Sequence, residues 1–260
     1  MTRRRFLPAA AGAAAVSSAQ STGVAQPAVF EMRIAYLRNG ADQQRQRLAE
    51  FIEKSTVPAL QKYGAGPVGV FSNLIAPDGP YIMAIVQYPS LAAMEETRAK
   101  MNEDAAYQKA TDKLLSAPGL PYVRLENSIL RGVPWMPAIE VPKHDGKRAN
   151  YVFELRTYES NTTASLAKKV KMFADGEMAI FRRLGMIPVL FGTTVVGRRM
   201  PNLVYMLGYE NLAAREKVWQ AFVRDPEWAK LRDTPGLSDA EVVSNISSVL
   251  LSPLGFSQVR

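Results

Sequence analysis

The chain has 260 residues, is 47% hydrophobic and carries a formal net charge of +8. That length is enough for one large core or two small ones. It contains no cysteine and a single histidine, His144, which excludes a disulfide framework, a thiolate nucleophile and a metal centre of clustered His and Cys; Ser-His-Asp catalysis is not expected because that histidine falls in a segment read as a linker.

The chain opens MTRRRFLPAAAGAAAVSSAQ, a basic start followed by a weakly apolar Ala-rich run and small residues, the order of an export signal. Thr2-Arg3-Arg4-Arg5-Phe6-Leu7 resembles the twin-arginine signal core, and residues 1–25 are expected to be removed after Ala19 or Ala25. The resemblance implies a periplasmic or extracellular protein. Residues 1–25 hold three Arg and no acid, so the charge falls from +8 to +5. The remaining surplus is dispersed and carries no nucleic-acid reading motif, so no nucleic-acid partner is expected. No apolar run approaches the roughly 20 residues of a membrane span, so no membrane insertion of the mature chain is expected.

From residue 28 the elements follow in a regular order. Phe30, Met32 and Ile34 alternate with Glu31 and Arg33, the period of a half-buried strand. A helix is predicted from near Asp42, with Leu48, Phe51, Ile52, Leu60 and Tyr63 at helical spacing before Gly64. Strands at 67–72 and 81–88 flank the Asp78-Gly79 turn, Ser90 caps a second helix, and 127–133 reads as a last strand. Residues 134–150, with Pro137, Pro142 and the polar run Lys143-His144-Asp145-Gly146, read as a linker.

The same sentence is then repeated. VFEMRIAY from Val29 returns as VFELRTYE from Val152, Tyr88-Pro89-Ser90-Leu91 as Tyr209-Glu210-Asn211-Leu212, and Ala117-Pro118-Gly119 as Thr234-Pro235-Gly236. A constant shift of roughly 120 residues marks two copies of one small module. The second copy predicts a helix from near Thr162 with a stop at Gly185, strands at 188–196 and 203–209, a helix capped by Asn211, and a last strand at 245–251. Asp225-Pro226 restarts its second helix, an N-cap followed by proline at the first helical position. The fold class is therefore α+β, with tandem ferredoxin-like β-α-β-β-α-β repeats at 28–134 and 151–256, a linker at 135–150 between them, and the two sheets expected to pack against each other.

Glu154-Leu155-Arg156-Thr157-Tyr158, then Tyr209 with Leu212 and Arg215, then Asp225-Pro226-Glu227-Trp228 resemble the NIPSNAP family of the dimeric α/β-barrel superfamily. The first copy keeps a fainter form in Glu31-Met32-Arg33, Tyr88 and Tyr107. The resemblance implies the barrel-type fold and names no reaction. Catalytic residues stay unassigned, and no metal or cofactor is expected. Glu154, Arg156 and Tyr158 share one strand face and Tyr205 and Tyr209 another, so an acid, a guanidinium and phenols converge on one surface. With Arg215 and Trp228 they are the candidate ligand-binding residues, placed between the sheets or between sheet and helices. The competing reading makes the Glu154–Arg156 pair a structural closure. Lys168, Lys169 and Lys171 are expected on a solvated helix face. Two functions follow: an exported small-molecule binder with a cofactor-independent activity as one form, or a non-catalytic interaction module. A homodimer is compatible with either.

Overall fold

The structure is a computed structural model that describes residues 26–40, 43–143 and 151–260. The expected signal at 1–25, Asp42 and His144 lie outside the described residues. The first copy runs β1 (Val29–Tyr36), α1 (Gln44–Phe51), a π-helical turn at Ile52–Thr56, α2 (Val57–Lys62), β2 (Val68–Ile75), β3 (Tyr81–Tyr88), α3 (Leu91–Glu103), α4 (Ala105–Ser116) and β4 (Arg124–Gly132). The second repeats it as β5 (Val152–Glu159), α5 (Thr163–Met172), a π-helical turn at Phe173–Glu177, α6 (Met178–Arg183), β6 (Ile187–Val196), β7 (Asn202–Tyr209), α7 (Leu212–Val223), α8 (Pro226–Arg232), a short α9 (Asp239–Val242) and β8 (Asn245–Pro253).

Matching local chemistry sets the boundaries in both copies. Gly64 and Gly185 end the first helices at φ of +85° and +89°, a left-handed conformation that glycine adopts without steric cost. Ser90 Oγ accepts from the Ala93 N–H at 3.1 Å, and Asn211 Oδ1 from the Ala214 N–H at 2.8 Å. Asp104 and Asp225 restart the second helices, each accepting from two N–H groups of the next turn.

Each copy forms an antiparallel four-stranded sheet, β4-β1-β3-β2 and β8-β5-β7-β6. The sheets join at both edges, β2 to β8 and β4 to β6, and close one eight-stranded barrel. The expected opposition of two sheets is thus realised by edge pairing, which leaves no free edge to template aggregation. Phe30, Phe71, Met83, Leu130, Phe153, Leu155, Met206 and Leu251 fill the barrel interior. The outward faces carry the helices, so each copy has its own core between sheet and helices.

The first part of the expected linker is structural. Pro137 O accepts from the Ala28 N–H at 2.8 Å, the Glu140 N–H donates to Val189 O at 2.8 Å, and Ile139 is buried in the barrel core. The C-terminal tail does the same for the other copy, with the Leu254 N–H on Val70 O at 2.9 Å and Val259 buried. Among the described residues no helix is long and apolar enough to cross a membrane.

Candidate functional site

Alternation along β5 and β7 sends Phe153, Leu155, Val204 and Met206 into the barrel and turns Glu154, Arg156, Tyr158, Tyr205 and Tyr209 outward beneath the second copy's helices. The pairing register sets Arg156 opposite Tyr205. Glu154 is fully buried. Its Oε1 accepts from Arg156 Nη1 at 2.9 Å, Arg215 Nη2 at 2.7 Å and Ser248 Oγ at 2.6 Å. Its Oε2 accepts from Arg215 Nε at 2.9 Å, Trp219 Nε1 at 2.9 Å and Tyr209 Oη at 3.1 Å. Burial alone would raise this carboxyl, but the Arg215 hydrogen bonds, the Arg156 charge and Ser248 outweigh it and bring it down to about 2.

The candidates at Glu154, Arg156, Tyr158, Tyr205, Tyr209, Arg215 and Trp228 are brought together as a network of largely buried rings and charges, and none of them lines the cavity that opens in the first copy. Tyr205 stacks on Phe191 with centroids 4.8 Å apart and planes 5° apart, and Tyr158 meets Tyr205 edge-on at 5.1 Å. Arg156 donates to Tyr158 Oη at 3.2 Å and lies 4.5 Å from the Trp219 ring centroid. Trp228 packs on Phe222. Lys169 corrects an expectation, because it is buried instead of solvated. Its Nζ sits 2.9 Å from the buried Glu177 and close to the rings of Tyr158, Phe173 and Trp228. The helix turns Lys169 inward while Lys168 stays exposed and Lys171 pairs with Asp175 in solvent. The network also lies between sheet and helices, because edge pairing reserves the space between the sheets for the barrel core.

The first copy has the same floor under an open space. Glu31 Oε1 accepts from Arg33 Nη2 at 2.7 Å, Asn127 Nδ2 at 3.0 Å and Arg98 Nη2, and Oε2 accepts from Tyr88 Oη at 3.0 Å. Tyr88 therefore holds the place of Tyr209, as the repeat alignment expects. Burial would raise the Glu31 carboxyl, but the charges of Arg33 and Arg98 outweigh it and leave it lowered. Above this floor lies a cavity of about 800 Å3 between the sheet and α1 to α4, lined mostly by apolar side chains.

The two copies share their register, so the residue at each position can be compared directly. Ala35 stands where Tyr158 stands, two residues beyond the arginine of its strand, and Ala84 stands opposite Arg33 as Tyr205 stands opposite Arg156. In the first helices, Ile52 and Thr56 of the π turn replace Phe173 and Glu177, and Leu48 replaces Lys169. In the second helices, Arg98, Met101 and Tyr107 replace Trp219, Phe222 and Trp228. All of these first-copy residues line the cavity, so the cavity is the space that the second copy fills with rings. Among the described residues, buried side-chain polar atoms without a protein hydrogen-bond partner occur in both copies, Thr56 Oγ1 in the first and Arg156 Nε and Tyr205 Oη in the second, so they do not separate the two sites. Arg33 and Arg98 keep side-chain exposures of 46% and 36%, against 14% and 24% for Arg156 and Arg215. Sequence reasoning missed Arg98, Ala35, Ala84 and Thr56. The available signal was the loss of aromatic volume at Ala35 and Ala84 when the copies are aligned. Among the described residues no group of three or more His, Asp or Glu is placed to hold a metal ion.

A closed eight-stranded barrel built from two ferredoxin-like repeats, with a buried Glu–Arg–Tyr floor under each helical layer, defines a duplicated α/β-barrel protein. The NIPSNAP family profile matches residues 31–137 and 153–258, and the chain belongs to that family. No curated protein matches the chain. Among solved structures, the chain is similar in fold to a candidate monooxygenase from Lactobacillus acidophilus NCFM, at 14% identity over 88% of this chain and 94% of the other, with a TM-score of 0.57. A candidate monooxygenase from Fusobacterium nucleatum subsp. nucleatum gives 9% identity, 89% and 94% coverage and a TM-score of 0.54. A NIPSNAP family protein from Agrobacterium tumefaciens str. C58 is 20% identical over 47% of this chain and all of its own, with a TM-score of 0.39.

Proposed function

We propose that this protein is an exported small-molecule-binding member of the NIPSNAP family, that its ligand occupies the first-copy cavity, and that the second copy serves as a self-filled scaffold. The observation that carries this reading is the cavity of about 800 Å3 over the Glu31 floor, within the range of drug-sized ligand sites. Its walls are mostly apolar, with Asn102, Gln108, Thr111 and Asp112 among them, its floor is polar, and its floor cations are partly exposed, so it can seat an amphipathic molecule with an oxygen on the arginines. Glu31 positions those arginines. A role as general base does not fit it, because its carboxylate is already engaged by Arg33, Arg98, Tyr88 and Asn127. Any chemistry at this site would rest on the guanidinium groups, which can stabilise a developing oxyanion. The two candidate monooxygenases of the same fold support a small-molecule role by precedent of scaffold only. Export is read from the twin-arginine-like start.

The test is a thermal-shift screen of the full chain against a metabolite library, run beside the double variant Ala35→Tyr/Ala84→Tyr, which copies the second copy's rings into the cavity. A ligand raises the melting temperature by mass action. Compounds that stabilise the wild type and leave the double variant unmoved are expected. Flat curves for both proteins would favour the non-catalytic interaction module instead.

A further inference from the structure

The second copy shows what the framework holds when this space is full. There the guanidinium of Arg156 donates to a phenolic oxygen, Tyr158 Oη, at 3.2 Å, and a ring covers it, the Trp219 centroid lying 4.5 Å away. A second phenol ring, Tyr205, stacks beside it on Phe191. In the first copy the counterpart guanidinium, Arg33, faces Ala35 and Ala84, Arg98 takes the place of Trp219, and no ring among the described residues stacks on Arg33. Its guanidinium pairs with Glu31 at 2.7 Å, and its side chain is 46% exposed. The floor, Glu31 with Arg33 and Arg98, carries one more positive than negative charge, which Asp112 in the wall balances.

We propose, resting on the reading of this cavity as a ligand site, that it takes an aromatic compound of two or three rings bearing a hydroxyl or carboxylate oxygen. The oxygen lies on Arg33 as the Tyr158 hydroxyl lies on Arg156, and the ring plane covers Ala35 and Ala84. The reason for an aryl ligand over an aliphatic one is the uncovered guanidinium face, which attracts a π system and gains nothing comparable from a saturated ring. The reason for the oxygen is the guanidinium's N–H donors. Tyr107 and Tyr122 in the walls, and Phe51, 5.7 Å from Tyr107 by ring centroid, supply further aromatic contact.

The experiment is isothermal titration calorimetry of the full chain with 2-naphthol and with decahydro-2-naphthol, which keeps the hydroxyl and the carbon skeleton but has no π system. The expected result is one site per chain, 2-naphthol binding at least about tenfold more tightly than its saturated analogue, and a loss of about tenfold for 2-naphthol in Arg33→Gln. Binding should vanish in Ala35→Tyr/Ala84→Tyr, whose folding is checked by circular dichroism. Arg33→Gln provides an independent readout should that variant misfold. Equal or tighter binding of the saturated analogue, still blocked by the double variant, would overturn the aryl assignment and leave the cavity reading standing. Unchanged 2-naphthol affinity in Arg33→Gln would overturn the oxygen assignment. If neither probe binds while library compounds stabilise only the wild type, the class is wrong and the site is right. If the library also fails, the site itself is wrong.

Discussion

The two copies share strand order, helix stops, caps and a buried glutamate held by arginine and tyrosine, yet one core is filled and the other is hollow. The second copy places Tyr158, Tyr205, Phe173 and Phe222 where the first has Ala35, Ala84, Ile52 and Met101. On the proposed function, duplication separates two tasks that a single module would have to combine. A tightly packed copy supplies stability, and a sister freed from that duty can keep an unfilled, partly exposed polar floor, the kind of feature proteins retain at functional sites at some cost in stability.

The largest expected effect breaks the comparison at its rings. Tyr205→Ala should destabilise the protein by about 3–5 kcal/mol, because it removes a fully buried ring stacked on Phe191. Its mirror, Ala84→Tyr, should change stability by no more than about 1 kcal/mol, because the cavity can receive the ring. Urea unfolding measures both, and an equally large loss for Ala84→Tyr would mean that the space is not available.

The buried acids give the next contrast. Glu154→Gln leaves Arg156 and Arg215, with side-chain exposures of only 14% and 24%, without a counter-charge, and should cost about 3–5 kcal/mol. Glu31→Gln should cost less, about 1–3 kcal/mol, because Arg33 and Arg98 can turn to water. Equal costs in urea titrations would remove the distinction between a closed and an open floor.

A pH titration sharpens the same point with a smaller effect. Glu154 is lowered from 4.5 to about 2 on folding. A depressed carboxyl stabilises fully above its unfolded value and loses that contribution as pH falls through its folded value. The stabilisation should therefore decline from about pH 5 toward pH 2, by about 3 kcal/mol at most. The stability gap between wild type and Glu154→Gln should narrow over that window, and a gap independent of pH would show that the charge on Glu154 is not what the network requires.

Much of this architecture was legible in the chain. The doubled VFEMRIAY and VFELRTYE, the paired glycine stops and Asp225-Pro226 fixed two β-α-β-β-α-β units, because strand period, left-handed stops and caps are local properties. Closure by edge pairing was not legible in the local patterns and entered only through the barrel-type fold that the family resemblance implies, since it depends on β2 meeting β8 and β4 meeting β6 across the whole chain. On the proposed reading, the site has the chemistry visible in the chain but lies in the other copy. Tyrosines are conspicuous in a sequence, so Tyr158 and Tyr205 drew the candidate residues to the second copy. A cavity is made by what is small, and Ala35 and Ala84 carry no motif. Lys169 misled for a similar reason, as a lysine in a basic run reads as solvated until its partner Glu177, eight residues on, is seen to share its buried face.

The most direct test of the hollow first copy and filled second copy is diffraction from a crystal of the protein pressurised with xenon, which enters apolar voids without needing a specific ligand. The account predicts xenon density beside Ala35 and Ala84, over the Glu31 floor, and none between β5 to β8 and the helices that cover them. Xenon among Tyr158, Phe173 and Tyr205, or no xenon above Glu31, would contradict it.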